Sequence, residues 1–157
     1  MKQAVDIDHG LKVAVADGRF EFFEVGLQPQ CNSRQHWAWA EKQGAHLSLL
    51  SQVQEEGLLN HLERILKPFH DHPVWISLDI DAICSMEAPG CSQSWTTGLK
   101  TEELFQAFSW LKENLQWQSF SIYEVSPPLD SDLRTAKLAA QFAHHFLSLN
   151  TERRPVQ

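Results

Sequence analysis

Apolar and polar positions follow two different periods along this chain, and together they predict strands and helices in turn. Runs rich in aromatic and β-branched residues predict strands, whereas apolar residues spaced three and four apart predict helices. The predicted strands are FEFFEVGL (20–27), AHLSLL (45–50), VWISLDI (74–80) and SFSIYEV (119–125). The predicted helices are RQHWAWAEKQ (34–43), QEEGLLNHLERILK (54–67), TEELFQAFSWLKENL (101–115) and a last helix that Ser131 and Asp132 open.

The helical segments each have an apolar face that predicts which side packs on a core. In the second helix this face consists of Leu58, Leu62, Ile65 and Leu66, and in the third of Leu104, Phe108, Leu111 and Leu115. In the last helix the face is predicted at Leu133, Ala136, Ala140, Ala143 and Leu147. Thr101 is the predicted cap of the third helix, while Gly44 and Pro68 end the first and second.

The alternation of strand and helix predicts an α/β fold with helices on both faces of the sheet. We therefore expect a three-layer α-β-α architecture with a mostly parallel sheet. Residues 1–19 are a weakly patterned N-terminal segment, compatible with a strand or an ordered arm. Residues 20–150 form one α/β domain, and residues 151–157 form a tail.

Composition and charge narrow the range of functions. The 157 residues are 43% hydrophobic, which suits one globular domain, and they carry a formal net charge of -7. This acidity, without a long basic run, argues against nucleic-acid or anionic-membrane partners. The three cysteines lack a C-x-x-C pair, and no signal segment or membrane-spanning run is present. We expect a cytoplasmic protein in a reducing compartment.

Acidic side chains stand where two of the predicted strands end. Asp79 and Asp81 end VWISLDID, and Glu124 ends SIYE. In parallel sheets the ligands bind at the carboxyl ends of the strands, which makes these residues a candidate site. On a strand, side chains at i and i+2 face the same side, so two carboxylates there would repel without a cation such as Mg²⁺ or Mn²⁺ between them. The alternative is that both aspartates only end a strand and form turns.

Two long motifs are similar to the ureohydrolase family, which includes arginase, agmatinase and formimidoylglutamase. SLDIDAICSMEAPGCSQSWTTGL (77–99) resembles the family's S-x-D-x-D segment with its A-P-G and Gly-Leu. EVSPPLDSDLRTAKLAA (124–140) resembles its E-V-N-P-x-x-D segment before a T-A-K-L-A-A helix. The A-P-G-C-S run and the segment EVGLQPQCNSRQHWAWAEKQGA (24–45) favour the formimidoylglutamase branch. The resemblance covers residues 20–149.

The resemblance implies an arginase-like fold and metal-dependent hydrolysis of a linear amidine C–N bond. Asp79 and Asp81 would be ligands of a two-metal Mn²⁺ centre, and Glu124 would bind the amidine or guanidino group of a small-molecule substrate. Such a metal pair makes a hydroxide from a bridging water, which attacks the planar carbon of the amidinium. For formimidoylglutamate, an intermediate of histidine degradation, the implied products are glutamate and formamide.

Two further metal-binding segments of the family, G-G-x-H and D-A-H-x-D, do not occur in this chain. Only Asp6-Ile7-Asp8-His9 has similar residue types, in a different order, and a polar N-terminal arm is the better interpretation. The chain therefore corresponds to the family's C-terminal half, truncated on its N-terminal side. The alternative function is a non-catalytic remnant or assembly subunit. In both cases the exposed edge and apolar surface of a half-domain predict a homo-oligomer.

Overall fold

The computed structural model describes residues 10–16, 20–70 and 72–151, and its sheet has five strands. Strand β1 spans Leu11–Ala16, and the other four are β2 (Phe20–Leu27), β3 (His46–Leu49), β4 (Pro73–Asp79) and β5 (Gln116–Tyr123). All four strands predicted from the sequence are present, within a few residues of their predicted ends. Strand β1 lies in the segment where the weak pattern left a strand and an arm as alternatives. The Asp6–His9 candidate lies outside the described residues.

The order of the strands is β3-β2-β1-β4-β5, and β1 is antiparallel to both of its neighbours. The pairs β2–β3 and β4–β5 are parallel, so β2, β3, β4 and β5 all point the same way. Only residues 17–19 separate β1 from β2, which is far too short for the crossover that a parallel pair requires. The prediction of a parallel sheet is thus correct for four strands, while the central strand runs in reverse.

In the described part of the chain, five α-helices connect and follow the strands, with one break that the sequence pattern did not predict. They are α1 (Arg34–Lys42), α2 (Leu50–Glu56), α3 (Leu58–Leu66), α4 (Thr101–Asn114) and α5 (Arg134–Thr151). The predicted helix 54–67 is two helices, because Gly57 has a φ of 85° that helical residues do not adopt. Ser33 caps α1 by accepting a hydrogen bond from the His36 amide.

Most of the helix faces that were predicted to pack on the core are buried, but the prediction for the last helix was wrong. Every predicted core leucine of α3 and α4 has less than 3% of its surface exposed. By contrast, Leu133, directly before α5, and Leu147, within it, are 54% and 61% exposed. The buried side chains there are Thr135, Leu138 and Phe142, with Phe146 packed against the core. Phe142 packs on Phe105 and Phe108 of α4, and Phe146 packs on Trp117 and Phe120 of β5. These larger side chains bury more apolar surface than the alanine stripe that suggested the other face.

The helices are divided unequally between the two faces of the sheet. Val74, Ile76 and Leu78 of β4 belong to the main core, which also contains the buried residues of α2, α3, α4 and α5. A smaller cluster of Leu27 and Ala40, with Trp37, Ala45 and Leu47 against it, attaches α1 to β2 and β3. Leu47 pairs with Glu24, which alternates with the core residues Phe23 and Val25, so α1 lies on the opposite face.

This arrangement has the three layers expected from the sequence. On the face opposite the main core, however, Trp75 of β4 and Tyr123 of β5 remain 36% and 57% exposed. The chief consequence of the topology is that the carboxyl ends of β2, β4 and β5 reach the same edge of the sheet. The two motifs at residues 77–99 and 124–140 lie at this edge.

Candidate functional site

Asp79 and Asp81 lie at the carboxyl end of β4 in a nearly solvent-free environment. Asp79 is the last residue of the strand, and Ile80–Ala82 form a single 3-10 turn. The prediction that both aspartates alternate along a strand was therefore wrong, because the strand ends at Asp79, two residues before Asp81. Asp79 Oδ1 instead accepts a hydrogen bond from the Asp81 amide at 3.4 Å. The two side chains are 4% and 0% exposed.

The burial of two carboxylates on one turn lowers the free energy of unfolding unless a partner compensates for their charge. Burial disfavours a charged carboxylate, and two like charges close together disfavour each other further. A nearby cysteine responds to these charges: burial first, and then the carboxylate of Asp81, raise the pKa of Cys91 to about 11. Its thiol donates to the carbonyl of Ala88 at 3.6 Å. The end of β4 is thus a negative, dehydrated place that suits a cation.

Glu124 directly follows β5, the parallel neighbour of β4, and its backbone is strained. Its φ of 63° lies in the left-handed region, which residues with a side chain seldom adopt. The side chain is exposed and accepts a hydrogen bond from Ser92 Oγ at 3.3 Å. Strained backbone that the surroundings maintain is concentrated at functional sites. The structure therefore brings Glu124 to the same edge of the sheet as Asp79 and Asp81, and Ser92 to Glu124.

The loop after Asp81 is closed at its base. Ile83 and Leu99 form a parallel bridge, and the amides of Cys84 and Leu99 donate to the carbonyls of Leu99 and Ala82. Gly98 permits this approach, because a Cβ there would be only 2.4 Å from the backbone nitrogen of Cys84. The loop between these closure points carries Ser92 and Trp95. Its two ends therefore occupy fixed positions next to Asp81.

A hydrogen-bond network then connects this loop to the segment that carries Glu124. The Gly90 amide donates to Thr135 Oγ1 at 2.7 Å, and the Ser126 amide donates to the Gly90 carbonyl at 2.8 Å. Asp130 Oδ1 accepts from the amide and hydroxyl of Thr135, and its Oδ2 accepts from the Ala136 amide. Burial would raise the pKa of Asp130, but these hydrogen bonds together lower it. Asp130 thus caps α5 and holds both loops.

A second polar contact attaches the same loop to β2. Gln28, which is buried just after the end of β2, accepts from Thr97 Oγ1 at 2.6 Å and donates from Nε2 to the Thr97 carbonyl at 3.3 Å. At the other end of the loop, Glu87 accepts from the amide and hydroxyl of Thr101. Thr101 is therefore not the cap of α4 that the sequence predicted, because its hydroxyl bonds to Glu87 and Lys100 precedes the helix without a side-chain cap.

The carboxylate oxygens of Asp79 and Asp81 at the end of β4 are chemically suited to a hard divalent cation. Carboxylate oxygens are the ligands that Mg²⁺ and Mn²⁺ prefer, and burial protects the ion from water. In number the set is incomplete. Within residues 10–16, 20–70 and 72–151, no three His, Cys, Asp or Glu side chains form a group that could hold a metal ion. By themselves these two carboxylates could therefore supply only part of a metal centre.

Other histidines and acids have contacts of a different kind. Glu56 accepts from Arg64 through both of its oxygens, and His61 contacts Glu56 and Ser48 at 2.8 Å each. This network, which is buried at His61 and Ser48 and exposed at Arg64, joins α2, α3 and β3. His145 lines an open cavity of about 400 Å³ between α4 and α5 and contacts Ser109. Burial, and then His144, lower the pKa of His145, which is consistent with a neutral structural ring.

Sequence reasoning identified Asp79, Asp81 and Glu124 but gave no role to the residues that fix their positions. Gln28, Ser92, Asp130 and Thr135 all belong to quoted segments, yet no function was predicted for them. A signal was present for Asp130, because an aspartate shortly before an apolar helix is a common capping residue. No such local signal exists for Gln28, whose partner Thr97 is distant along the chain.

Comparison with known proteins identifies relatives of this fold. A family model described as "Arginase family" matches residues 5–148. Formimidoylglutamase of Bacillus subtilis (strain 168) is 29% identical over 126 residues, which cover 79% of this chain and 40% of the relative. Formimidoylglutamase of Staphylococcus carnosus (strain TM300) is 25% identical over 142 residues, with 87% and 44% covered.

Solved structures agree with this relationship. The crystal structure of the Bacillus subtilis formimidoylglutamase superposes with a TM-score of 0.74 at 27% identity, covering 81% of this chain and 40% of that one. Trypanosoma cruzi formiminoglutamase, solved with Mn2+2, superposes with a TM-score of 0.73 at 23% identity, covering 85% and 44%. This chain therefore spans less than half the length of these relatives.

Proposed function

This chain belongs to the arginase family, and we propose that it is the part of a formimidoylglutamase-like hydrolase that supplies Asp79, Asp81 and Glu124 to the active site. The observation that carries the proposal is the juxtaposition of two buried carboxylates and one strained, exposed carboxylate at the ends of neighbouring parallel strands. The similarity to the formimidoylglutamases supports this branch over the other branches of the family.

Each carboxylate has a role that follows from its surroundings. Asp79 and Asp81 would hold Mn²⁺ as part of a larger set of ligands, and the bound metal would supply an activated water. Glu124 is exposed and positioned by Ser92, so it pairs with the cationic amidine of the substrate through two parallel hydrogen bonds. The substrate is a linear amidine, formimidoylglutamate, and its hydrolysis gives glutamate and formamide.

The test uses the chain as it exists, with glutamate release from formimidoylglutamate measured in the presence of added Mn²⁺. Agmatine and arginine are assayed as alternative substrates. Mn²⁺ binding is measured separately by calorimetry. We expect Asp81→Asn to abolish metal binding and turnover together. Glu124→Gln should retain metal binding but raise KM, because only one of its atoms can still accept a hydrogen bond from the amidine. Glu102→Gln, on the exposed start of α4, is the control.

A second candidate is a non-catalytic assembly subunit with the same fold. The observation that favours it is the incomplete set of metal ligands in the described part of the chain. A well-folded chain that neither binds Mn²⁺ nor releases glutamate would support this second function and contradict the first. For either function we propose a homodimer.

The proposed location is the cytoplasm, which the reduced thiols of Cys84 and Cys91 support. No helix in the part of the chain that the structure describes is long and apolar enough to cross a bilayer.

A further inference from the structure

The carboxyl end of β2 contains a β-bulge that changes the direction of its last side chains. Between Val25 and Leu27 the pairing with β3 shifts by one residue, and Gly26, with a φ of 91°, is the extra residue. Phe23 and Val25 belong to the main core, whereas Leu27 belongs to the smaller cluster on the opposite face. The bulge therefore reverses the alternation of β2 directly before Gln28.

Gln28 is the side chain that this bulge directs toward the loop after Asp81. Proteins often have β-bulges next to active sites, where they redirect a side chain. Gln28 is only 2% exposed and makes two hydrogen bonds to Thr97, one to the hydroxyl at 2.6 Å and one to the carbonyl at 3.3 Å. Next to it, a Cβ on Gly26 would lie 3.3 Å from Cδ1 of Leu99. The end of β2 thus holds the last part of this loop by a polar and an apolar contact.

Residues 92–97 connect the Gln28 contact to Glu124. At one end of this segment the Ser92 hydroxyl donates to Glu124 Oε2 at 3.3 Å, and at the other end Thr97 bonds to Gln28. All six residues of the segment are exposed. Burial therefore contributes little to their position, and hydrogen bonds must hold the segment in place.

We propose that Gln28 is a positioning residue for substrate binding, because it holds residues 92–97 where Ser92 reaches Glu124. This inference rests on the proposed function, in which the Glu124 carboxylate binds the amidine. Asp79 and Asp81 belong to the end of β4 and the turn after it, so the metal ligands do not depend on this contact. Loss of the Gln28 hydrogen bonds should therefore weaken substrate binding and spare the chemical step.

The first experiment compares the kinetics of formimidoylglutamate hydrolysis with added Mn²⁺ in the unmodified chain and in Gln28→Leu. Leucine retains most of the buried volume but removes both hydrogen bonds to Thr97. We expect KM to rise about tenfold and kcat to change less than about twofold. Gln30→Leu is the control, because it removes an exposed glutamine of the same segment and leaves the Gln28–Thr97 bonds in place.

Thr97→Val tests whether Gln28 acts through Thr97. This variant loses the hydroxyl that donates to Gln28 but keeps the carbonyl that accepts from it. We expect a smaller rise in KM than in Gln28→Leu. The double variant should have the KM of Gln28→Leu alone, because the Thr97 hydroxyl has already lost that acceptor. Additive effects of the two substitutions on KM would contradict a common route.

A second experiment does not require turnover. The Ser85 amide donates to the Trp95 carbonyl at 2.7 Å, within the segment that Gln28 holds, whereas the Gly90 amide donates to Thr135. Hydrogen exchange followed by NMR should be about tenfold faster at the Ser85 amide in Gln28→Leu and unchanged at the Gly90 amide. Thr97 is exposed, so Thr97→Val supplies the same comparison in a variant that retains the buried glutamine.

The outcomes separate this inference from the proposed function. An unchanged KM, an unchanged exchange rate at Ser85, or equally faster exchange at Ser85 and Gly90 would each overturn the positioning role, since a purely structural residue changes only the overall stability. An unmodified chain without turnover would contradict the proposed function, and the exchange at Ser85 would then show by itself whether Gln28 holds the loop.

Discussion

Gly90 lies against the side chain of Asp130 with no space for a methyl group between them. A Cβ built on Gly90 would be 2.6 Å from both Cβ and Cγ of Asp130. The same glycine bonds to Thr135 and Ser126 through its amide and carbonyl. Under the proposed function this contact is important, because it fixes the distance between the loop that carries Ser92 and the segment that carries Glu124.

We therefore expect Gly90→Ala to destabilise the fold by about 1–3 kcal/mol, since an added methyl group must displace packed atoms. Urea unfolding followed by circular dichroism measures this change. The double variant Gly90→Ala/Asp130→Gly lacks the side chain that clashes with the added methyl group. Its loss of unfolding free energy should therefore be smaller than the sum of the losses in the two single variants. Strict additivity would show that the two positions do not touch.

Asp130→Ala should itself cost about 1–2 kcal/mol. The carboxylate accepts three hydrogen bonds from the first turn of α5, and the removal of a cap leaves those donors without an acceptor. Asp132→Asn is the control, because it removes the charge that pairs with the exposed Arg134, surface ion pairs contribute little, and asparagine tolerates the φ of 55° at this position. Equal costs for the two substitutions in the same unfolding experiment would contradict the capping role.

Glu124→Gly should have opposite effects on stability and on function. Glycine adopts a φ of 63° without the steric cost that a side chain imposes there, so we expect stability to be unchanged or raised by up to about 1 kcal/mol. In helix α4, Glu102→Gly should instead destabilise by about 1 kcal/mol. Amidine hydrolysis, which requires the Glu124 carboxylate under the proposed function, should be lost. A clear loss of stability in Glu124→Gly would show that the strain is compensated by contacts of the side chain.

Much of the fold followed from periodicity because most elements obey it locally. The helix faces at Leu62 and Phe108 and the strand around Ile76 were predictable for this reason. Two features depend on other information. The break at Gly57 depends on one residue with positive φ inside an otherwise helical pattern, and the burial of Phe142 rather than Ala140 depends on its contacts with Phe105 and Phe108 of α4.

The residues of the candidate site also divide into those that the sequence could indicate and those that it could not. Asp79, Asp81 and Glu124 could be located because strand ends in a parallel sheet meet at one edge. The role of Gln28 could not be predicted, since its partner Thr97 is distant along the chain, whereas the capping role of Asp130 had a local signal. The strain at Glu124 is likewise invisible in the sequence, because glutamate carries no preference for positive φ.

Glu56 should give the protein a dependence of stability on acid pH. Hydrogen bonds from Arg64, opposed by burial and assisted by His61, lower the pKa of Glu56 from 4.5 to about 2. A lowered pKa in the folded state means that the charged carboxylate stabilises the fold above pH 4.5, and that this contribution is lost as the pH falls toward 2. Urea unfolding between pH 2 and pH 7 should therefore show a steeper loss of stability in the parent than in Glu56→Gln. Glu55→Gln, at an exposed position of the same helix, should retain the slope of the parent; equal slopes in the parent and Glu56→Gln would contradict the role of the Arg64 contact.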